Sequence, residues 1–176
     1  RLPGQGITVG TLLHDAIRRN ARANDAYELE LMRAQEVMFP YEKHEQDHML
    51  EDVRSMLATY EQLLGSALPT LEERTVDRAE WPVLLPDGTQ TWLGIIDRLY
   101  AVGDTWFLDD YKADRQLNPK RYAFQLATYR IAVQRTLGVD PQTRLVSLRD
   151  GRVIPYHQDD LNQAWEARHE GTGSPP

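Results

Sequence analysis

Cysteine is absent from all 176 residues. That absence removes disulfides, thiolate zinc sites and cysteine-ligated iron–sulfur clusters. It fits a reducing compartment, and a cytoplasmic protein is the expectation. No apolar run approaches the roughly 20 residues needed to cross a bilayer, so membrane insertion is not expected, and no secretory signal pattern opens the sequence. The chain starts at Arg1 and not at Met, which reads as a fragment or a processed form. Positive charge is in short supply: 20 Lys and Arg stand against 27 Asp and Glu, for a net charge of −7. Binding of nucleic acid by bulk electrostatics alone is therefore disfavoured. What the chain does have is 41% apolar residues, four Trp and eight Tyr, the composition of a packed globular protein. A single domain over residues 1–170 is expected, with a helical part at about 8–65, a sheet-bearing core at about 71–157, and a disordered tail at 171–176.

Charge is placed unevenly. From Lys112 to Arg135 the basic residues are Lys112, Arg115, Lys120, Arg121, Arg130 and Arg135, against Asp114 alone, while acid concentrates between Asp25 and Glu61. Residues 1–6 read as a loose lead-in. A helix then opens near Thr8, with Thr8 or Thr11 as N-cap and Leu12, Leu13, Ala16 and Ile17 as its apolar stripe. A second helix is predicted over 25–37, with Tyr27, Leu31, Ala34 and Met38 on one face. A third is predicted over 45–64, stopped by Gly65. Polar alternation over 71–80 begins the sheet and leaves Arg74 on an exposed strand. Turns at 86–89 and 101–104 separate strands at 91–100 and 105–112, an antiparallel meander. A helix over 120–137 follows, with Leu126, Tyr129, Val133 and Leu137 buried and Gly138 ending it. A hairpin across Asp150-Gly151 and a short helix over 159–168 complete the chain.

Two stretches carry chemistry. Gly94-Ile95-Ile96-Asp97-Arg98 and Leu108-Asp109-Asp110-Tyr111-Lys112 read as neighbouring apolar strands that each deliver acid to one end. Side chains alternate between the faces of a strand, so Asp110 and Lys112 share one face and Asp109 and Tyr111 the other. An Asp-x-Lys strand end beside a second Asp is a place to hold a divalent cation next to a phosphate. His14, at the edge of the first helix's stripe, is either a half-buried structural residue or a neutral imidazole ligand. Gln125 and Tyr129 lie one turn apart and share a helix face. The run His44-Glu45-Gln46-Asp47-His48 matches the His-Glu-x-x-His pattern of zinc hydrolases. Its polar neighbours and its place at the start of an acidic helix favour a solvated helix face instead.

Four pieces now stand in order: Gly10-Thr-Leu-Leu-His14, Gly94-Ile-Ile-Asp97-Arg98, Asp110-Tyr-Lys112 and Gln125-Leu-Ala-Thr-Tyr129. Together, over roughly residues 8–137, they resemble the RecB-like nuclease family of the PD-(D/E)xK superfamily, and most of all the C-terminal nuclease domain of the AddA and RecB helicase–nucleases. The resemblance implies an α/β (α+β) fold with a restriction-endonuclease-like core, a central mixed β-sheet flanked by helices, and an N-terminal helical segment. It implies that His14, Asp97, Asp110 and the Tyr111 carbonyl ligate Mg²⁺ or Mn²⁺. Lys112 would orient or help deprotonate the attacking water, with Gln125 and Tyr129 as positioning groups. Arg98, Arg115, Lys120 and Arg121 would contact DNA phosphates, and Arg98 could instead form an ion pair. Many relatives carry four cysteines around an iron–sulfur cluster; this chain has none, which points to the cluster-free type. Glu80 is a further acidic candidate whose position the sequence leaves open.

The implied activity is that of a metal-dependent DNA nuclease, an exonuclease on single strands or DNA ends, in DNA repair or recombination. A helicase, fused or separate, is the implied partner. The alternatives are a catalytically inactive nuclease-fold module that binds DNA ends or a partner protein, and a zinc hydrolase built on His44 and His48.

Overall fold

The computed structural model describes residues 4–170. The expected tail and the first three residues of the expected lead-in lie outside them. The elements are α1 (Gln5–Arg18), α2 (Ala26–Arg33), a one-turn 3₁₀ helix (Glu36–Met38), α3 (Lys43–Leu63), β1 (Val76–Asp87), β2 (Gln90–Val102), β3 (Thr105–Lys112), α4 (Pro119–Leu137), β4 (Gln142–Ser147), β5 (Arg152–Pro155) and α5 (Gln158–Glu170). They make an α/β fold with one mixed five-stranded sheet in the order β1-β2-β3-β4-β5. Contacts in space between backbone positions divide the chain into two compact units. One holds the residues up to Thr70 with Tyr111–Arg115 and Ser147–Arg152; the other holds Leu71–Asp110, Gln116–Val146 and the residues from Val153 onward.

The helical unit buries Leu12, Leu13, Ala16 and Ile17 of α1 with Met49, Val53, Met56, Leu57 and Tyr60 of α3, the stripes that 3.6-residue periodicity picks out. Its helix ends differ from expectation. α1 starts at Gln5, after Gly4 at φ 103°, and neither threonine caps it. The Thr8 hydroxyl meets the Tyr41 hydroxyl at 3.1 Å, and the Thr11 hydroxyl donates back to the Ile7 carbonyl at 3.0 Å. In α2, Asp25 is the cap, accepting from the Tyr27 N–H at 3.0 Å. The helix ends at Arg33 and restarts as the 3₁₀ turn, so the expected stripe does not lie on one helix. Met32 and Met38 are buried, while Tyr27 and Leu31 are exposed.

In the sheet unit, β1 and β2 form a long antiparallel hairpin whose Gly88-Thr89 turn joins Asp87 to Gln90. Thr105 pairs with Val102, so Gly103-Asp104 turns β2 into β3. The strand predicted from residue 71 begins at Val76 and runs through Pro82. A missing N–H is tolerated there because β1 is an edge strand. Arg74, expected to be exposed, is buried with its guanidinium 3.9 Å over the Tyr100 ring. After α4 the chain returns beside β3. Arg144 pairs with Asp109 near one end and the Leu148 N–H donates to the Lys112 carbonyl at 3.0 Å near the other, so β4 runs parallel to β3. α4 and α5 close over Val83, Leu85, Ile96, Leu99, Leu108 and Leu145 with Leu126, Ala127, Tyr129, Ala132, Val133 and Leu161. Leu137, expected in this stripe, is 42% exposed at the last turn of α4.

That core contains a break in strand periodicity. Ile96 and Leu99 both join it, although they are three residues apart and should face opposite ways. The β1–β2 ladder pairs Ala79 with Arg98 and Trp81 with Ile96 but skips Glu80 opposite Asp97. Glu80 takes a left-handed φ of 49°. The irregularity turns β2 at Asp97, much as a bulge re-aims a side chain beside a functional site.

Candidate active site

Asp110 sits on β3, 3% exposed, and Asp97 sits half-buried on β2. The β2–β3 ladder ends with Arg98 opposite Asp109, so one position further Asp97 and Asp110 stand level on neighbouring strands. Tyr129 from α4 reaches the same place. Burial raises the pKa of its hydroxyl, and the Asp110 and Asp97 carboxylates push it in the same direction. The hydroxyl accepts a hydrogen bond from Gln125 Nε2 at 3.0 Å and another from the Ile95 backbone. Asp97, Asp110, Gln125 and Tyr129 are thus brought together within the sheet unit.

Gly94 makes this possible. A Cβ at that position would lie 2.4 Å from Tyr129 Cε1 and 2.9 Å from its hydroxyl oxygen, closer than two such atoms can approach. The glycine of one motif piece is therefore the floor on which the tyrosine of another lies. Gly94→Ala is expected to displace Tyr129, cost about 1–3 kcal/mol of stability by overpacking, and lower any activity of the site. Urea titration and a cleavage assay check it; an unchanged midpoint and rate would show that the ring can move aside harmlessly.

Asp109 serves the opposite face. It is fully buried, accepts from Arg144 Nε at 2.7 Å and Nη2 at 2.8 Å and from the Tyr100 hydroxyl at 2.8 Å. Tyr100 in turn stacks on Phe107, ring centroids 5.2 Å apart. Strand alternation had separated Asp109 from Lys112, and this network is what occupies it.

In the helical unit, the half-buried His14 ring stands edge-on to Tyr111 at 6.4 Å, and Tyr111 packs edge-on to Tyr60 at 5.4 Å. Lys112 ends β3 with its carbonyl held by Leu148. Among the described residues no three or more His, Asp or Glu side chains stand together as a metal-holding group. Arg98 makes the ion pair offered as its other reading: it is 3% exposed and makes two 2.6 Å bonds to Asp77. Arg115, Lys120 and Arg121 are exposed. Glu80 is exposed and level with Asp97.

Sequence reasoning missed Tyr156. Its phenol is held above its ordinary pKa by burial and then by Asp110, and its hydroxyl donates to the Pro119 carbonyl at the start of α4. It lies in no motif, so nothing in the sequence marked it. The His-Glu-x-x-His pattern has a helix-capping explanation. Glu45 accepts from the Glu42 N–H at 3.0 Å and from Gln5 Nε2 at 3.2 Å, while His44 is exposed beside Glu42.

A family model described as the PD-(D/E)XK nuclease superfamily matches residues 3–169. No curated protein sequence matches the chain. Among solved structures, one from Eubacterium rectale named "Putative exonuclease" aligns at 12% identity and a TM-score of 0.67, covering 95% of this chain. This chain spans 64% of that protein's length. A Vibrio cholerae protein aligns over 96% of this chain and 51% of its own at 13% identity, with a TM-score of 0.39.

Proposed function

This chain belongs to the PD-(D/E)XK nuclease superfamily, and we propose that it is a divalent-metal-dependent deoxyribonuclease that cuts single strands or DNA ends, in repair or recombination. What supports this reading is that Asp97 and Asp110 both act electrostatically on the Tyr129 hydroxyl, and that Asp110 lies on the strand that ends in Lys112. A Mg²⁺ ion is commonly held by one or two carboxylates, with water and substrate phosphate completing its shell, so two adjacent aspartates suffice as protein anchors. Asp97 and Asp110 would hold Mg²⁺ or Mn²⁺, with the Tyr111 carbonyl and His14 as further donors. Such a cation, when bound, lowers the pKa of a water and polarises the phosphate.

The chain's own groups do the rest. Lys112 orients the attacking water or neutralises charge on the pentacovalent phosphorus. Water adds its oxygen to phosphorus, the bond to the leaving sugar oxygen breaks, and a proton passes to that oxygen. The Tyr129 hydroxyl, fixed by Gln125 and Ile95, holds the carboxylate side in place. Lys120, Arg121 and Arg115 supply phosphate contacts. A helicase, fused or separate, would deliver the strand. An inactive DNA-end-binding module is the other reading.

The test is cleavage of labelled single- and double-stranded DNA with Mg²⁺ or Mn²⁺ and with chelator. Metal-dependent cleavage is expected, and no cleavage with either ion would leave only the inactive module. His44→Ala should cleave at the unaltered rate, because His44 is solvent-exposed at a helix start. Loss of activity in that variant would revive the zinc hydrolase.

A further inference from the structure

Beside the site, α4 and α5 build a feature that the hydrolysis itself does not use. α4 carries Lys120, Arg121, Arg130 and Arg135 and no acidic residue along Pro119–Leu137, in a chain of net charge −7. Lys120 and Arg121 are exposed in its first turn. One turn further, on the same side, stands Phe124, immediately before Gln125. Phe124 lies between two indoles. The Trp165 ring of α5 is nearly parallel to it, at 10° with centroids 5.8 Å apart. The Trp92 ring of β2 meets it edge-on at 5.1 Å. The Arg168 guanidinium is 5.2 Å from the Phe124 ring and 5.8 Å from the Trp92 ring. Trp92 is tethered by its indole N–H to Asp87 at 3.3 Å. All three rings keep part of their surface in solvent, and Arg168 is exposed.

Interior packing alone does not call for this composition. Leucine or valine would seal α5 onto α4 as well, and would not bring a guanidinium over the rings. Aromatic faces with arginine beside them, reached from a basic helix turn, match the way single strands are bound: cations track the phosphates and bases stack on rings. Unstacked bases are available only in a single strand or a frayed end.

We propose that Trp165, Phe124, Trp92 and Arg168 form a base-stacking platform for single-stranded DNA, with Lys120 and Arg121 taking the adjoining phosphates. This deepens the nuclease reading and rests on it, since it supplies the strand to Asp97 and Asp110. It also explains how an acidic chain holds DNA: the contribution comes from stacking more than from net charge.

The test is binding without metal, so that nothing is cut. Fluorescein-labelled oligo(dT) of about 12 nucleotides, within the usual site sizes, is compared by anisotropy with an abasic strand of equal length. Oligo(dT) is expected to bind wild type about tenfold more tightly than the abasic strand. Trp165→Ala should erase that difference and leave abasic binding unchanged, while Trp165→Phe should keep most of it. Lys120→Ala/Arg121→Ala should weaken both strands and flatten the salt dependence. Circular dichroism confirms folding. Should Trp165→Ala fail to fold, tryptophan quenching decides: oligo(dT) but not the abasic strand should quench wild type, and less so Trp165→Phe. Equal affinity for the two strands, no binding of either, or equal loss of both in Trp165→Ala overturns the platform. Cleavage of the same oligonucleotides with Mn²⁺ is read separately. Cleavage without base-dependent binding sinks the platform alone, and base-dependent binding without cleavage sinks the nuclease alone.

Discussion

Asp110→Asn is expected to abolish cleavage while leaving the protein as stable as before or more so. The side chain keeps its size and loses its charge. In a site that must bind a cation and stabilise charge at phosphorus, losing one preorganised group costs about 10²- to 10³-fold, and losing a metal-anchoring carboxylate costs at least that much. The stability argument has the opposite sign. Asp110 is 3% exposed, level with a second aspartate, and close enough to raise the pKa of both Tyr129 and Tyr156. Two carboxylates on neighbouring strands repel each other, and a bound cation relieves that repulsion. Neutralising one should raise the urea midpoint in chelator, the usual trade between stability and activity. Added Mn²⁺ should stabilise wild type by ligand linkage and leave the variant unmoved. If Asp110→Asn instead unfolded the protein while Mn²⁺ did nothing to wild type, Asp110 would be a structural residue. Lys112→Ala should show the same loss of rate but keep the Mn²⁺ stabilisation, since an amine is no ligand for a hard cation here.

The second large effect belongs to the neighbouring residue. Arg144→Ala should destabilise the fold by about 3–5 kcal/mol, because it strands the buried Asp109 carboxylate without its cation. That is a large share of the roughly 5–15 kcal/mol that holds a domain together. Among the described residues Asp109 then keeps the Tyr100 hydroxyl at 2.8 Å, and Phe107 loses the guanidinium 4.5 Å over its ring. Asp109→Ala should cost a similar amount. The double replacement Asp109→Leu/Arg144→Met should cost much less than the sum, since apolar side chains of similar volume often substitute for a buried pair at little cost. Urea titrations of the two singles and the double measure it. Additive losses would mean that each residue is held by its own packing and not by the pair. Two adjacent aspartates on β3 are thus expected to answer opposite tests: neutralising Asp110 should remove cleavage, and removing Asp109 should cost stability.

How much of this was legible in advance follows from what each element depends on. β3 was read over 105–112 and is Thr105–Lys112; α4 was read to stop at Gly138, which sits at φ 68°. Both are set by neighbours in sequence, through alternation in a strand and a left-handed glycine at a helix end. The α1 caps were misread because Thr8 found a better partner in Tyr41, 33 residues away. Arg98 was offered to DNA because a surface arginine and an arginine buried against Asp77 look alike in sequence. Tyr156 and the Trp92–Phe124–Trp165 cluster had no spacing to betray them, since their partners come from different elements.

The sequence by itself determined β3, the end of α4, the family motifs and that Asp110 and not Asp109 shares a face with Lys112, because a two-residue period fixes which side chains share a face. Only the tertiary structure decided that Gly94 must be glycine, since the ring it accommodates arrives 35 residues later on another element. It also decided that Ile96 and Leu99, three residues apart on β2, join one core. That depends on a skipped pair and a left-handed Glu80, a departure from strand geometry that local preference does not encode.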